Sequence, residues 1–247
     1  MKVNLVLSGG AIRGVAHIGV IKALEELGFE ITSISGVSAG ALVGAFYCEG
    51  YSPEEMLRVV LSKDWLKFLR PKIPKLGLFS LREAERYLRS MLSARSFEEL
   101  KKPLYVCALE VRTGRTLYFD KGELFGPLLG SCALPGIFEP VRYQNLFLID
   151  GGITNNLPVE PLLGREGLIV GVDVNPMSEE RVNNILQLLL RSFLLAVRSN
   201  VEKRKEMCHV VIEPDLYGYS PYSLHRAKDI YRLGYEKTMA IMKAYAK

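Results

Sequence analysis

Short apolar runs alternate with stretches of helical spacing along this 247-residue chain, the pattern of parallel strands covered by helices. Residues 3–7 form a mostly apolar run and predict a buried central strand. A glycine-rich turn, Gly9-Gly10-Ala11-Ile12-Arg13-Gly14, leads into a helix on which Val15, Ile18, Ile21, Leu24 and Leu27 keep helical spacing. Gly28 suits its C-terminal cap. Residues 31–37 predict a second strand, and residues 39–48 a helix that starts immediately after it. Ser80 with Glu83 makes a capping-box pattern that opens a helix through about Leu92. Residues 104–111 and 116–119 predict a strand pair around the Thr113-Gly114 turn. Residues 146–149 and 168–174 predict further apolar strands, and residues 183–201 and 226–246 two long helices. With no internal repeat, low-complexity tract or linker, the expectation is one large α/β domain over residues 1–247.

Composition narrows the classes of function. Hydrophobic residues at 49% and charged residues at 24% exclude a disordered or fibrous chain. Lys+Arg 32 against Asp+Glu 27 gives a net charge of +5, too mild to drive tight nucleic-acid binding by phosphate neutralisation. It is compatible with a locally basic face that touches anionic lipid. Cys48, Cys107, Cys132 and Cys208 stand singly, with no CxxC pair and no histidine at zinc-ligand spacing. Reduced thiols in a cytosolic protein, with no metal, are therefore expected. The opening residues run straight into a strand and the Ser8-Gly9-Gly10 turn, so no signal peptide is expected. Residues 31–50 are apolar, but Ser33, Ser35, Gly36, Ser38 and Gly40 interrupt them, and residues 42–48 are too few to span a bilayer.

Candidate chemistry sits at three turns. The first is Gly36-Val37-Ser38-Ala39-Gly40 between a predicted strand and a predicted helix. A serine on such a sharp turn is forced outward, and the flanking glycines tolerate the strained backbone and the close helix. The first free N–H groups of that helix, Ala39 among them, point at whatever Ser38 attacks. The competing reading is a serine in a tight turn packed by small residues. The second turn is the Gly9–Gly14 loop, whose N–H groups at a helix start can hold an oxyanion or a phosphate. A dinucleotide site is the alternative there, although Gly9, Gly10 and Gly14 miss the G-x-G-x-x-G spacing. Arg13 has two readings, contact with an anionic substrate and a structural ion pair. The third turn is Asp150-Gly151-Gly152, an acid at the end of an apolar strand, where open α/β sheets place their ligands. A partly desolvated Asp150 can accept a serine proton, and Asp173, in a similar setting, competes for that role.

The only histidines are His17, His209 and His225. The order Ser38, Asp150, then His209 or His225 imitates a hydrolase triad. However, His209 opens a strand-like run at the wrong end of a parallel strand, and Ser38 follows only the second strand. His17, one turn after Arg13, suits packing or hydrogen bonding. The residues thus point toward a Ser–Asp pair.

With these three motifs in order, the sequence resembles the patatin-like phospholipases, especially their compact bacterial members. Ala16-His17-Ile18-Gly19-Val20 and the segment from Ser131 to Pro140 are similar to framework segments of that family. Ala11 departs from it, because the family usually has a third glycine there. The resemblance implies a three-layer α/β/α fold with a mainly parallel central sheet and a Ser38–Asp150 dyad without catalytic histidine. It also implies an oxyanion hole from Gly9, Gly10, Ala11 and Ile12, joined by Ala39, with no metal or organic cofactor. The expected activity is hydrolysis of carboxylic esters, with phospholipids or lysophospholipids as substrates. A general carboxylesterase, an acyltransferase and a low-turnover lipid-binding regulator are the alternatives. Residues 65–79 mix aromatic and cationic side chains, which suits either a flap that meets a membrane surface or a proline-broken connection. Residues 185–197 are apolar around much of a helix and predict a buried or self-associating one. The expected location is cytoplasmic, with peripheral membrane contact compatible; oligomeric state is not legible.

Overall fold

A computed structural model describes residues 1–62, 64, 77–79, 81–176, 182–220 and 224–246. The amino-terminal part alternates strand and helix: β1 (Lys2–Leu7), α1 (Val15–Glu26), β2 (Glu30–Val37), α2 (Ala39–Glu49) and α3 (Pro53–Ser62). There follow β3 (Gly77–Phe79), α4 (Arg82–Met91), β4 (Leu104–Glu110), β5 (Arg115–Phe119) and α5 (Phe125–Ser131). The remainder is β6 (Gly136–Phe138), β7 (Val141–Tyr143), β8 (Leu146–Asp150), β9 (Leu168–Val172), α6 (Ile185–Lys205), β10 (Val210–Ile212) and α7 (Ala227–Met242). Among the described residues, β10, β9, β1, β2 and β4 form a parallel core of one sheet, and β5, β8 and β7 add antiparallel strands to it.

β1 lies at the centre, between β2 and β9, and alternation along it serves two cores. Val3, Leu5 and Leu7 face the larger core, built with α1, α2 and α7. Val6 faces a smaller one with Leu157, Val159, Leu162 and Val201 of α6. The polar positions on this second face are satisfied internally, as buried groups must be. Asn4 Oδ1 accepts the Ser33 hydroxyl at 2.6 Å, Asn4 Nδ2 donates to Glu166 O at 2.9 Å, and the Ser35 hydroxyl donates to Pro158 O at 2.5 Å. The mixed, mostly parallel sheet flanked by helices is the α/β architecture that the sequence predicts. α1 and α7 pack backbone to backbone, since a Cβ on Gly19 would overlap Tyr231 O and one on Gly234 would overlap Ala16 O.

The strand that ends in Asp150 departs from expectation. β8 runs antiparallel to β4, so the rule for carboxyl ends of parallel strands does not place it. β5 occupies one edge of β4 from Val106 to Glu110, and β2 and β8 therefore share the other edge, end to end. Val37 pairs with Cys107 and Asp150 pairs with the next residue, Ala108. The carboxyl ends of two oppositely directed strands thus meet at one point of the sheet.

Two smaller expectations change, and a third falls on residues that are not described. α4 begins after Leu81, which offers no side-chain cap, and Glu83 pairs with Arg86 at 2.8 Å; Ser80, the proposed cap, lies outside the described residues. α6 is not buried along its length, because Ile185, Leu188 and Leu195 are exposed and Val201 is buried. Most of the aromatic and cationic segment at residues 65–79 lies outside the described residues.

Candidate active site

Ser38 stands between β2 and α2 with φ 53° and ψ −123°, a left-handed backbone unusual for a residue with a side chain. Its neighbours make that turn possible. A Cβ on Gly36 would stand 2.7 Å from Ala41 N, and one on Gly40 would overlap Leu7 O, so only glycine lets α2 start this close to β1. The backbone N–H of Ser38 donates to Ser131 Oγ at 2.8 Å, and the Ser131 hydroxyl donates in turn to Cys107 O at 2.6 Å. Ser131, at the end of α5, thus ties the strained turn to β4.

The glycine-rich loop lies over this serine. A Cβ on Gly9 would stand 3.2 Å from Ser38 Cβ, and one on Gly14 would stand 2.6 Å from Ala39 Cβ. The loop is held from several sides. Gly9 N–H donates to Asn156 Oδ1 at 3.1 Å, Gly9 O accepts Asn175 Nδ2 at 2.6 Å, and Ser8 Oγ accepts Val174 N–H at 3.1 Å. Gly9, expected among the oxyanion donors, therefore has its N–H already engaged. Among the described residues, no acceptor takes the N–H of Gly10, Ala11, Ile12 or Ala39. Ala11 has φ 49°, the left-handed backbone that a glycine would adopt without strain, and its side chain is exposed. Arg13 is buried, and its Nε donates to the backbone oxygen of Tyr219 at 2.6 Å.

Asp150 ends β8 and caps the 3-10 turn Gly151–Ile153, accepting Gly152 N–H on Oδ1 at 2.8 Å. Its own N–H donates to Ala133 O at 3.1 Å. Gly151 is required beside it, because a Cβ there would stand 2.6 Å from Cys107 O. Burial pushes the carboxyl up to about 6 from 3.8, against the opposing pull of the Gly152 N–H and of the nearby Ser38 hydroxyl. A carboxylate of that affinity can take a proton near neutral pH and give it back.

The other candidate groups lie elsewhere or are committed. Asp173 is wholly buried and paired with Arg198 at 2.6 Å and Lys205 at 3.2 Å. His209 Nδ1 accepts Ile169 N–H at 2.9 Å, at the amino ends of β9 and β10 and so opposite Ser38 across the sheet. His225 is exposed in the turn Leu224–Arg226. His17 Nε2 donates to Ser8 O at 2.8 Å, and burial holds the ring down at about 4, hence neutral. Among the described residues, no group of three or more His, Cys, Asp or Glu side chains is placed to hold a metal ion. None of the helices described there is long and apolar enough to cross a membrane. Sequence reasoning did not single out Asn156, Asn175 or Asn200, and it took Ser131 only as framework. A lone Asn or Ser carries no pattern of its own, and only their partners reveal them.

Comparison with known proteins follows the same lines. A family model described as Patatin-like phospholipase matches residues 5–163. An uncharacterized NTE family protein of Mycobacterium tuberculosis is 32% identical over 177 residues, which cover 70% of this chain and 49% of that protein. Lysophospholipase nte1 of Aspergillus fumigatus is 25% identical over 268 residues, covering 94% of this chain and 18% of the relative. The chain thus spans about half the length of the mycobacterial relative and less than a fifth of the fungal one. The crystal structure of VipD from Legionella pneumophila shares the fold, with a TM-score of 0.53 at 17% identity, over 98% of this chain and 66% of that one.

Proposed function

The chain belongs to the patatin-like phospholipase family, and from that premise we propose that it is a serine lipid acyl hydrolase with Ser38 as nucleophile and Asp150 as its base. The observation that carries this reading is the head-on meeting of β2 and β8, which sets Val37 and Asp150 beside consecutive residues of β4. The burial that raises the proton affinity of Asp150 supports it.

In this mechanism the Asp150 carboxylate takes the hydroxyl proton as Ser38 Oγ attacks the ester carbonyl carbon. The carbonyl oxygen becomes an anion, held by the free N–H groups of Gly10 and Ala11 and by that of Ala39 at the start of α2. As the tetrahedral intermediate collapses, the carbon–oxygen bond to the alcohol breaks and Asp150 returns the proton to the leaving oxygen. Asp150 then takes a proton from a water as that water attacks the acyl-serine, and gives it to Ser38 Oγ as the acyl–oxygen bond breaks and the fatty acid leaves. Phospholipids or lysophospholipids are the proposed substrates, since the family and the relative named a lysophospholipase both point there.

Ser38→Ala and Asp150→Asn should each lower hydrolysis of a p-nitrophenyl acyl ester by at least about 1,000-fold. Full activity in Asp150→Asn, with loss in His209→Ala or His225→Ala, would replace the pair by a triad. Mass spectrometry of a lipid extract treated with wild type or Ser38→Ala identifies the ester that is cut.

A further inference from the structure

The dyad chemistry leaves one buried side chain unexplained although it touches both halves of the site. Asn156 lies beyond the Gly151–Ile153 turn, with only 7% of its surface exposed. Its Oδ1 accepts Gly9 N–H at 3.1 Å. An amide N–H can only donate, so the oxygen of Asn156 and not its nitrogen must face Gly9. The same oxygen would stand 2.7 Å from a Cβ on Gly9, a point 3.2 Å from Ser38 Cβ. It would also stand 2.7 Å from a Cβ on Gly152, a point 3.1 Å from Asp150 Oδ1. One amide oxygen therefore lies beside the glycine over Ser38 and beside Gly152, whose N–H holds Asp150 Oδ1. Asn156 cannot swing away freely. Its backbone N–H donates to Asn200 Oδ1 at 3.0 Å, and Asn200 Nδ2 reaches Ile153 O at 3.3 Å, which fastens the segment to α6.

We propose that Asn156 is a positioning residue of the hydrolase site: its oxygen pins Gly9 so that the next N–H groups face the Ser38 hydroxyl, and its neutrality spares Asp150 a second negative charge. The proposal rests on the Ser38–Asp150 reading above. Two properties of the side chain are needed together, an acceptor and the absence of charge. An aspartate would keep the first and lose the second. The groups that face Asp150 are Gly152 N–H, the Ser38 hydroxyl and the thiols of Cys107 and Cys132, both kept protonated by burial. None of these is a cation, so among the described residues nothing there offsets an added carboxylate.

Wild type, Asn156→Ala, Asn156→Asp, Ser38→Ala and Asp150→Asn are compared on a p-nitrophenyl acyl ester across pH, with a thermal melt for each. Asn156→Ala should lose about 100-fold in kcat with little change in KM, the cost of a misplaced oxyanion loop. Asn156→Asp should move the acid limb of kcat/KM up by about one pH unit, as two nearby carboxyls share one site. A loss of packing alone would lower the melt without moving that limb. A folded Asn156→Ala with wild-type kcat, or an Asn156→Asp limb superimposed on wild type, overturns the role of Asn156. If Asn156→Ala does not fold, the Asn156→Asp limb decides. Activity retained in Ser38→Ala or Asp150→Asn overturns instead the reading beneath it.

Discussion

Asp150 and Asp173 look alike in the sequence, each an acid that closes an apolar strand, but the fold gives them opposite surroundings. Asp173 follows β9 and is gripped by Arg198 and Lys205 of α6, while its Oδ1 accepts Asn175 N–H at 3.1 Å. Asp150 ends β8 and lies near a backbone N–H, a hydroxyl and two buried thiols. Burial raises the proton affinity of Asp173 too, but Arg198 and Lys205 pull it back down, and a carboxylate so held is committed to fastening α6 to the sheet. A carboxylate buried without a cation pays in stability and gains a proton affinity suited to catalysis. Desolvation is common to both sites, and the presence of a counter-charge separates them.

The comparison can be broken most forcefully at Asp173. Asp173→Ala would leave Arg198 and Lys205 with only Glu202 and Glu213, the more exposed of their carboxylates, a loss of about 3 kcal/mol. The melting temperature should then fall by roughly 10 °C, which calorimetry can read. A melt unchanged by Asp173→Ala would remove the contrast between the two acids.

The next effect is a pair of opposite pH slopes. Asp150 binds its proton at about 6 in the folded chain and at 3.8 as an ordinary carboxyl, so between these values the folded state holds more protons. Stability from this group must therefore fall as pH rises from about 4 to about 6, by about 3 kcal/mol in all. Activity should rise through the same window, as the base ionises. Urea denaturation at pH 7.5 should find Asp150→Asn more stable than wild type; equal midpoints would mean that burial of Asp150 carries no cost.

The smallest effect belongs to the loop over the nucleophile. Ala11→Gly relieves the left-handed strain at φ 49°, and after the added freedom of the unfolded chain the net gain is about 0.5 kcal/mol. A denaturation midpoint that falls in Ala11→Gly would show that the alanine side chain contributes packing instead.

Much of the site was legible as local pattern. The glycines at Gly36 and Gly40 announce a strand-to-helix turn because any side chain there would strike α2 or β1. The Gly9–Gly14 loop announces free N–H groups because it joins a strand directly to a helix start. The direction of β8 was not legible. An apolar run of four residues reads the same whether it pairs parallel or antiparallel. The engagement of Gly9 N–H by Asn156 was hidden for a similar reason, since a lone asparagine does not reveal what it will accept.

By itself the sequence determined which backbones could bend sharply, many of the strands and helices but not α3, α5, β6 or β7, and which side chains could attack or take a proton. These follow from sterics and hydrogen-bonding capacity within a few consecutive residues. The tertiary structure alone decided that β2 and β8 share one edge of β4, that among the described residues Asp173 receives two cations and Asp150 none, and that Asn156 reaches Gly9. Each of those outcomes depends on groups far apart in the chain, and the energy of a charge or a polar atom is set by what folding brings against it.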